Sequence, residues 1–233
     1  MALYNMIGPG DEAKKKTTSE QVVIRRMLDT PMKYDNKTAD NVIRSAAKKT
    51  GVDPDFLAAN AFQEGMNKAI SSGNRNVASD EFPVDGFLYY GLDTFGSVAP
   101  ELMKKGYLPK DFKFNPMSGE NEKGTKVNSA SFKTNEDALI AKGAYLNYFK
   151  DQVKSYADNI GVPLTKDAEN YLTMSAYNGG MGNAKIMIDE LSTGYNPDVF
   201  IKEGKTSRKG VHKNIAPRID KMETFKELRN KRD

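Results

Sequence analysis

A mainly α fold is what this sequence predicts: a bundle of helices around one core, with a long irregular mid-chain region and an N-terminal arm. Apolar residues recur three and four positions apart along most of the chain, the spacing of one helix face. Capping residues and breakers bracket those stretches, and no series of alternating polar and apolar residues marks a sheet. The 233 residues suffice for one sizeable core, or for a core plus a small appendage. Residues 1–38 are assigned to an arm or small helical appendage, and residues 39–233 to the main domain.

Gly8-Pro9-Gly10 and the run Lys14-Lys15-Lys16 make residues 1–18 read as a mobile arm. Val23 with Met27, and Ile24 with Leu28, then predict a short helix over 19–28 that Pro31 stops. After Thr38, the residues Val42, Ile43, Ala46 and Ala47 form one apolar face, and Gly51 is placed to close that helix. Asp53-Pro54 opens the next one, with Asp as N-cap and Pro at the first helical position. Phe56, Leu57, Ala59, Ala61 and Phe62 carry it to Glu64-Gly65.

Residues 69–91 are rich in Ser, Gly, Asn and Asp and read as irregular, with room for a short hairpin between 76 and 95. A short helix over 98–105 ends at Gly106. The polar run 109–131 reads as a long loop, of the kind that is functional or mobile. Thr134-x-x-Asp137 has the form of a capping box, ahead of a helix faced by Leu139, Ile140, Gly143, Tyr145, Leu146 and Phe149. Thr165 caps a helix that runs to Tyr177 and breaks at Asn178-Gly179-Gly180. A further helix covers 184–191, and Ile219, Met222, Phe225 and Leu228 mark one face of a last helix.

Composition narrows the chemistry. There is no cysteine, which excludes a disulfide framework and a thiol nucleophile. The one histidine, His212, rules out a multi-histidine metal site, and no calcium-loop spacing of acids is present. No metal and no cofactor is expected; carboxylates, hydroxyls, amides and backbone must do any chemistry. Net charge is +4, from 35 basic against 31 acidic residues mixed along the chain. That balance, without a dense basic stripe or a Gly-x-x-x-x-Gly-Lys loop, predicts no specific nucleic acid partner. No apolar run approaches the roughly 20 residues of a membrane span. Residues 1–10 carry no basic-then-apolar leader, so work outside the cytoplasm would need another route of export.

Glu64 is the first candidate for chemistry. It stands near the end of an apolar helix, where a carboxyl has the partly apolar surroundings that suit a general acid. Tyr177-Asn178-Gly179-Gly180 places a phenol and an amide together at a helix end, before glycines that let backbone approach a ligand. Gly91-Leu92-Asp93-Thr94 is framed by Tyr89-Tyr90 and Phe95, aromatic residues that can stack on sugar faces or simply pack. Each has a plain structural reading: a surface Glu, a helix stop, a core cluster.

Their order along the chain is more specific. Gly51-Val52-Asp53-Pro54 leads into the helix ending Gln63-Glu64. Gly91-Leu92, Ala141-x-Gly143-Ala144-Tyr145-Leu146 and Ala176-Tyr177-Asn178-Gly179-Gly180 follow in turn. This set, over about residues 40–190, resembles the catalytic domain of soluble lytic transglycosylases and goose-type lysozymes, with a weaker likeness at Ala216-Pro217-Arg218-Ile219. The resemblance implies a lysozyme-like domain that binds peptidoglycan glycan strands and cleaves the bond between N-acetylmuramic acid and N-acetylglucosamine. It implies Glu64 as the catalytic acid and base. Gln63, Tyr90, Gly91, Leu92, Asp93, Tyr177 and Asn178 would then contact or position substrate.

The chain departs from the family pattern at Gly65, where Ser is usual, at Asp93-Thr94, where Met-Gln is usual, and at Ile215, where Tyr is usual. Each change removes or replaces a polar group of the groove. Asp93, or Asp85 upstream, offers a second carboxylate, and with it the alternative of a hydrolysing muramidase. A groove that binds glycan or serves a structural role in a virion with weak catalysis is the other alternative. The missing leader and the basic arm resemble the cell-wall-degrading proteins of bacteriophages. The expected setting is therefore a phage virion, or the host periplasm and cell wall, with other virion or tail proteins as partners through the arm.

Overall fold

The structure, a computed structural model, describes residues 10–32, 35–66, 95–120, 126–194 and 209–231. It is mainly α. In chain order the elements are α1 (Gly10–Asp29), β1 (Pro31–Met32), β2 (Lys37–Thr38), α2 (Ala39–Thr50), α3 (Pro54–Ala61) and a π-helical turn (Phe62–Met66). After these come α4 (Phe95–Lys104), β3 (Asn115–Glu120), β4 (Lys126–Ser131), α5 (Asn135–Asn159), α6 (Lys166–Gly179), α7 (Met181–Ser192) and α8 (Lys209–Asn230). No described helix is long and apolar enough to cross a membrane.

Caps place the helix starts. The Thr38 hydroxyl accepts from the Asn41 backbone N–H, Asp53 from those of Asp55 and Phe56, Thr134 from that of Asp137 and Thr165 from that of Ala168. Each satisfies donors that the first helical turn leaves without partners. Gly51 closes α2 at a φ of 72°, as its position predicts.

Stretches of three helices run through the interior. Phe56 to Ala61 of α3, Ala138 to Leu146 of α5 and Asn170 to Tyr177 of α6 are buried without interruption, the mark of interior helices. The surrounding helices cover them: α2 packs on α5, α7 on α6, and α8 on α3 and α6. Ile24, Met27, Leu28 and Met32 of the N-terminal segment belong to the same hydrophobic cluster.

The structure departs from the expected elements at several places. The first helix begins at Gly10 and runs through Lys14–Lys16; Ala, Lys and Glu are good helix formers, and a charged run does not interrupt a helix. The polar stretch 109–131 is not a plain loop, because it contains the antiparallel hairpin β3–β4, with Asn115 opposite Ser131 and Glu120 opposite Lys126. Aromatic packing anchors its base. Phe95 is fully buried, and the rings of Phe112, Phe114 and Phe132 lie 6.5, 5.3 and 5.6 Å from it. Helix α4 starts at Phe95 rather than 98, and α7 at Met181 rather than 184. The expected hairpin within 76–95 falls almost wholly outside the described residues.

A polar junction ties the first turn of α5 to the chain's N-terminal part. Asp35 accepts from the Asn135 side chain (2.6 Å) and from the Glu136 backbone N–H (3.1 Å). Glu136 in turn meets Lys37, Lys49 and the Ser45 hydroxyl. Burial alone would raise the Glu136 pKa, but the bonds from Lys49, Ser45 and Lys37 outweigh it and hold the carboxyl below its ordinary 4.5. A lowered pKa means stability that is present above 4.5 and lost as pH falls through the folded value. Near neutrality the protein is therefore expected to melt above its Glu136→Gln variant. In acid the two melting curves should converge, and a constant gap across that range would refute the assignment.

Gly143 permits close contact between α5 and the end of α2. A Cβ there would lie 2.7 Å from Thr50 Oγ1 and 3.2 Å from Thr50 Cβ, and that hydroxyl is held by the Ala46 carbonyl at 2.9 Å. Alanine gains about 1 kcal/mol in helix propensity, against about 1–3 kcal/mol for overpacking. Gly143→Ala is expected to lower the urea midpoint; an unchanged or raised midpoint would contradict the close approach.

Candidate functional site

The three interior helices each send one polar group to the same place. Lys142 is fully buried on α5, inside the run Leu139-Ile140-Ala141-Lys142-Gly143-Ala144. Its ammonium donates to Asn60 Oδ1 of α3 (2.8 Å) and to the Tyr177 hydroxyl of α6 (2.8 Å), and lies 5.0 Å from the Tyr177 ring centroid. The Asn60 amide donates onward to Met174 Sδ at 3.2 Å. An ammonium has no lone pair to offer, so the Tyr177 oxygen is the acceptor and its own hydrogen is directed elsewhere. The Tyr177 ring packs edge-on against Tyr145, with centroids 5.9 Å apart.

Glu64 stands one helical turn beyond Asn60, which brings both side chains to the same side of the helix. It lies in the π-helical turn that continues α3, and it is 6% exposed. Wider turns of this kind are frequent at functional sites. On the outer side, α8 covers this turn: Phe225 packs edge-on against Phe62 at 6.0 Å, and the Lys221 ammonium lies 5.5 Å from the Phe62 ring centroid.

Among the described residues the buried side chains that carry formal charge are Asp40, Glu64, Lys142 and Arg229. Arg229 meets Asp40 at 2.8 Å and also bonds Asp55. That ion pair ties α8 to α2 and to the first turn of α3, away from the α5 cluster. Burial raises the Asp55 pKa, and Arg229 only partly offsets it.

Glu64 and Tyr177 are buried, and Tyr177 belongs to the Lys142 cluster. Gln63 is exposed beside Glu64. Asn178 is exposed at the end of α6, with its amide donating to the Met174 carbonyl at 2.8 Å. Gly180, at φ 79° and ψ 161°, makes the sharp break between α6 and α7, a conformation that glycine adopts without strain. Ile215 is fully buried. Asp85, Tyr90, Gly91, Leu92 and Asp93 lie outside the described residues. Sequence reasoning missed Asn60 and Lys142. The signal for Lys142 was present: its neighbours three and four positions away are Ala138, Leu139, Tyr145 and Leu146, so the lysine sits on a core face.

Among the described residues no cluster of acidic or histidine side chains could hold a metal ion. Compared with known protein families, with curated proteins and with solved structures, the chain matches none.

Proposed function

We propose that the protein cleaves the glycan strands of bacterial peptidoglycan as a lytic transglycosylase, with Glu64 as its one catalytic acid and base. The observation that carries this reading is the pair of interior ionisable groups, Glu64 and Lys142, on neighbouring elements, with Tyr177 held by Lys142. Ionisable groups are costly to bury and are retained where a site needs them. The order of motifs around Glu64 adds the substrate class.

In the proposed reaction Glu64 gives its proton to the glycosidic oxygen as the bond to C1 of the muramic acid breaks. The resulting carboxylate then takes the proton of that sugar's own 6-hydroxyl, whose oxygen closes on C1. The ring gains a 1,6-anhydro bridge, no water is consumed, and Glu64 ends protonated as it began. Tyr177, its oxygen turned toward Lys142, can offer its hydrogen to substrate or to the carboxylate. The proposed setting is the bacterial cell wall, reached as part of a phage virion or released during host lysis.

The purified protein is expected to clear a suspension of cell walls and release soluble muropeptides. Walls of several chemotypes left intact at high protein concentration would defeat this reading and leave a glycan-binding or structural role.

A further inference from the structure

The C-terminal half of α5 carries a second concave surface. A groove of about 370 Å³ opens there between α5, the segment after α4 and the start of α7. Tyr107, Tyr148 and Tyr156 line it, and each phenol is tied to a carboxylate. Tyr107 donates to Asp151, Tyr148 to Glu101 at 3.3 Å and Tyr156 to Asp189 at 2.9 Å. Burial first, and then the bond to Asp151, push the Tyr107 pKa up to about 12, so that phenol stays neutral and keeps its proton. Such ties orient the rings before a ligand arrives, which removes part of the ordering cost of binding.

Beside the rings, Gln152, Ser155 and Asn159 present amide and hydroxyl groups that bond no other described residue. With Tyr148 they follow one face of the helix. The walls carry two ammonium groups, Lys105 and Lys185, against the three carboxylates of Asp151, Glu101 and Asp189 that hold the phenols. Lys105 is answered by Glu101 at 2.9 Å, and Lys185, 4.9 Å from the Tyr156 ring centroid, shares the groove with Asp151. Such walls have no excess of positive charge to draw in a polyanion, and a purely apolar ligand would strand the amides. Aromatic rings beside amides and hydroxyls suit a ligand with apolar faces and a rim of hydroxyl and acetamido groups.

Ring contacts lead from this groove toward the Lys142 cluster. Tyr107 meets Tyr148 at 5.8 Å, Tyr148 meets Tyr145 at 6.3 Å and Tyr145 meets Tyr177 at 5.9 Å. From Lys142 to Tyr156 is roughly 20 Å of helix at about 1.5 Å rise per residue, so the two places are distinct but lie along one helix.

We propose that this groove is a second binding site, taking an uncharged chain of N-acetylhexosamines, separate from the Glu64 cluster. The chemistry of the groove carries the proposal independently of whether Glu64 cleaves anything. The test is calorimetric titration of the full chain carrying Glu64→Gln, which prevents turnover, with the hexasaccharide of N-acetylglucosamine. The same chain with Gln152→Ala and Asn159→Ala is titrated beside it. Saturable binding that the double substitution weakens about tenfold or more is expected, since each lost hydrogen bond is worth about 1 kcal/mol. No saturable binding, or equal affinity in both chains, overturns the proposal. Asn159→Ala alone, at an exposed position, keeps the test readable if the double variant melts early. Walls left uncleaved by the parent would remove the catalytic reading while leaving this result standing.

Discussion

Glu64→Gln is expected to stop cell-wall cleavage while leaving the protein folded. Glutamine keeps the shape of the side chain and an acceptor oxygen but has no acidic proton to give. Loss of a positioned general acid costs about 10²–10⁴ in rate, and here the same group is asked to return as base, so the upper end of that range applies. Its effect should fall on kcat rather than KM, because the proton moves only as the bond breaks. The variant should bind walls as the parent does, which a pull-down reads directly. Release of soluble fragments at the parent's rate would remove Glu64 from the mechanism.

Lys142→Met is expected to have the largest effect on stability. Methionine is similar in length and apolar, so little cavity is created. What is lost is the donor to Asn60 Oδ1 and to the Tyr177 hydroxyl, both buried. Stranding a buried acceptor costs about 1–3 kcal/mol, and two are stranded here. Relief of the ammonium's own desolvation offsets part of this, for a net loss of about 1–4 kcal/mol. If Lys142 acts on Glu64 in the folded protein, the loss must change when Glu64 is already glutamine. A double-mutant cycle on urea midpoints should therefore give a coupling of at least about 1 kcal/mol between the two positions, against a scatter of about 0.5 kcal/mol for independent sites. Additive behaviour would separate Lys142 from Glu64 and take away the observation on which the functional reading rests.

What was legible in the sequence was local. Thr38, Asp53, Thr134 and Thr165 cap the helices they were expected to cap, because a capping bond spans only a few residues. The break before α7 was legible for the same reason, although α6 runs on past Tyr177 through Asn178 and Gly179 and only Gly180 breaks it. The hairpin β3–β4 was not: Asn115–Glu120 and Lys126–Ser131 lack alternating apolar residues, and the aromatic packing that anchors the hairpin comes from residues outside both strands. The Lys142 cluster was hidden differently. The turns of α3, α5 and α6 that meet there are buried without a break, so periodicity cannot say which face meets which neighbour. That Asn60, Lys142 and Tyr177 converge is a property of the packing. The Glu136 junction joins residues about a hundred positions apart, and no local pattern reports such a pairing.

In the proposed mechanism Glu64 drives an intramolecular cleavage that consumes no water. Mass spectrometry of the soluble products from purified peptidoglycan, digested by the parent and by Glu64→Gln, distinguishes this from hydrolysis. The parent should yield 1,6-anhydromuramoyl ends and the variant none. Reducing muramic acid ends from the parent would mean that water is the nucleophile, and would overturn the mechanism.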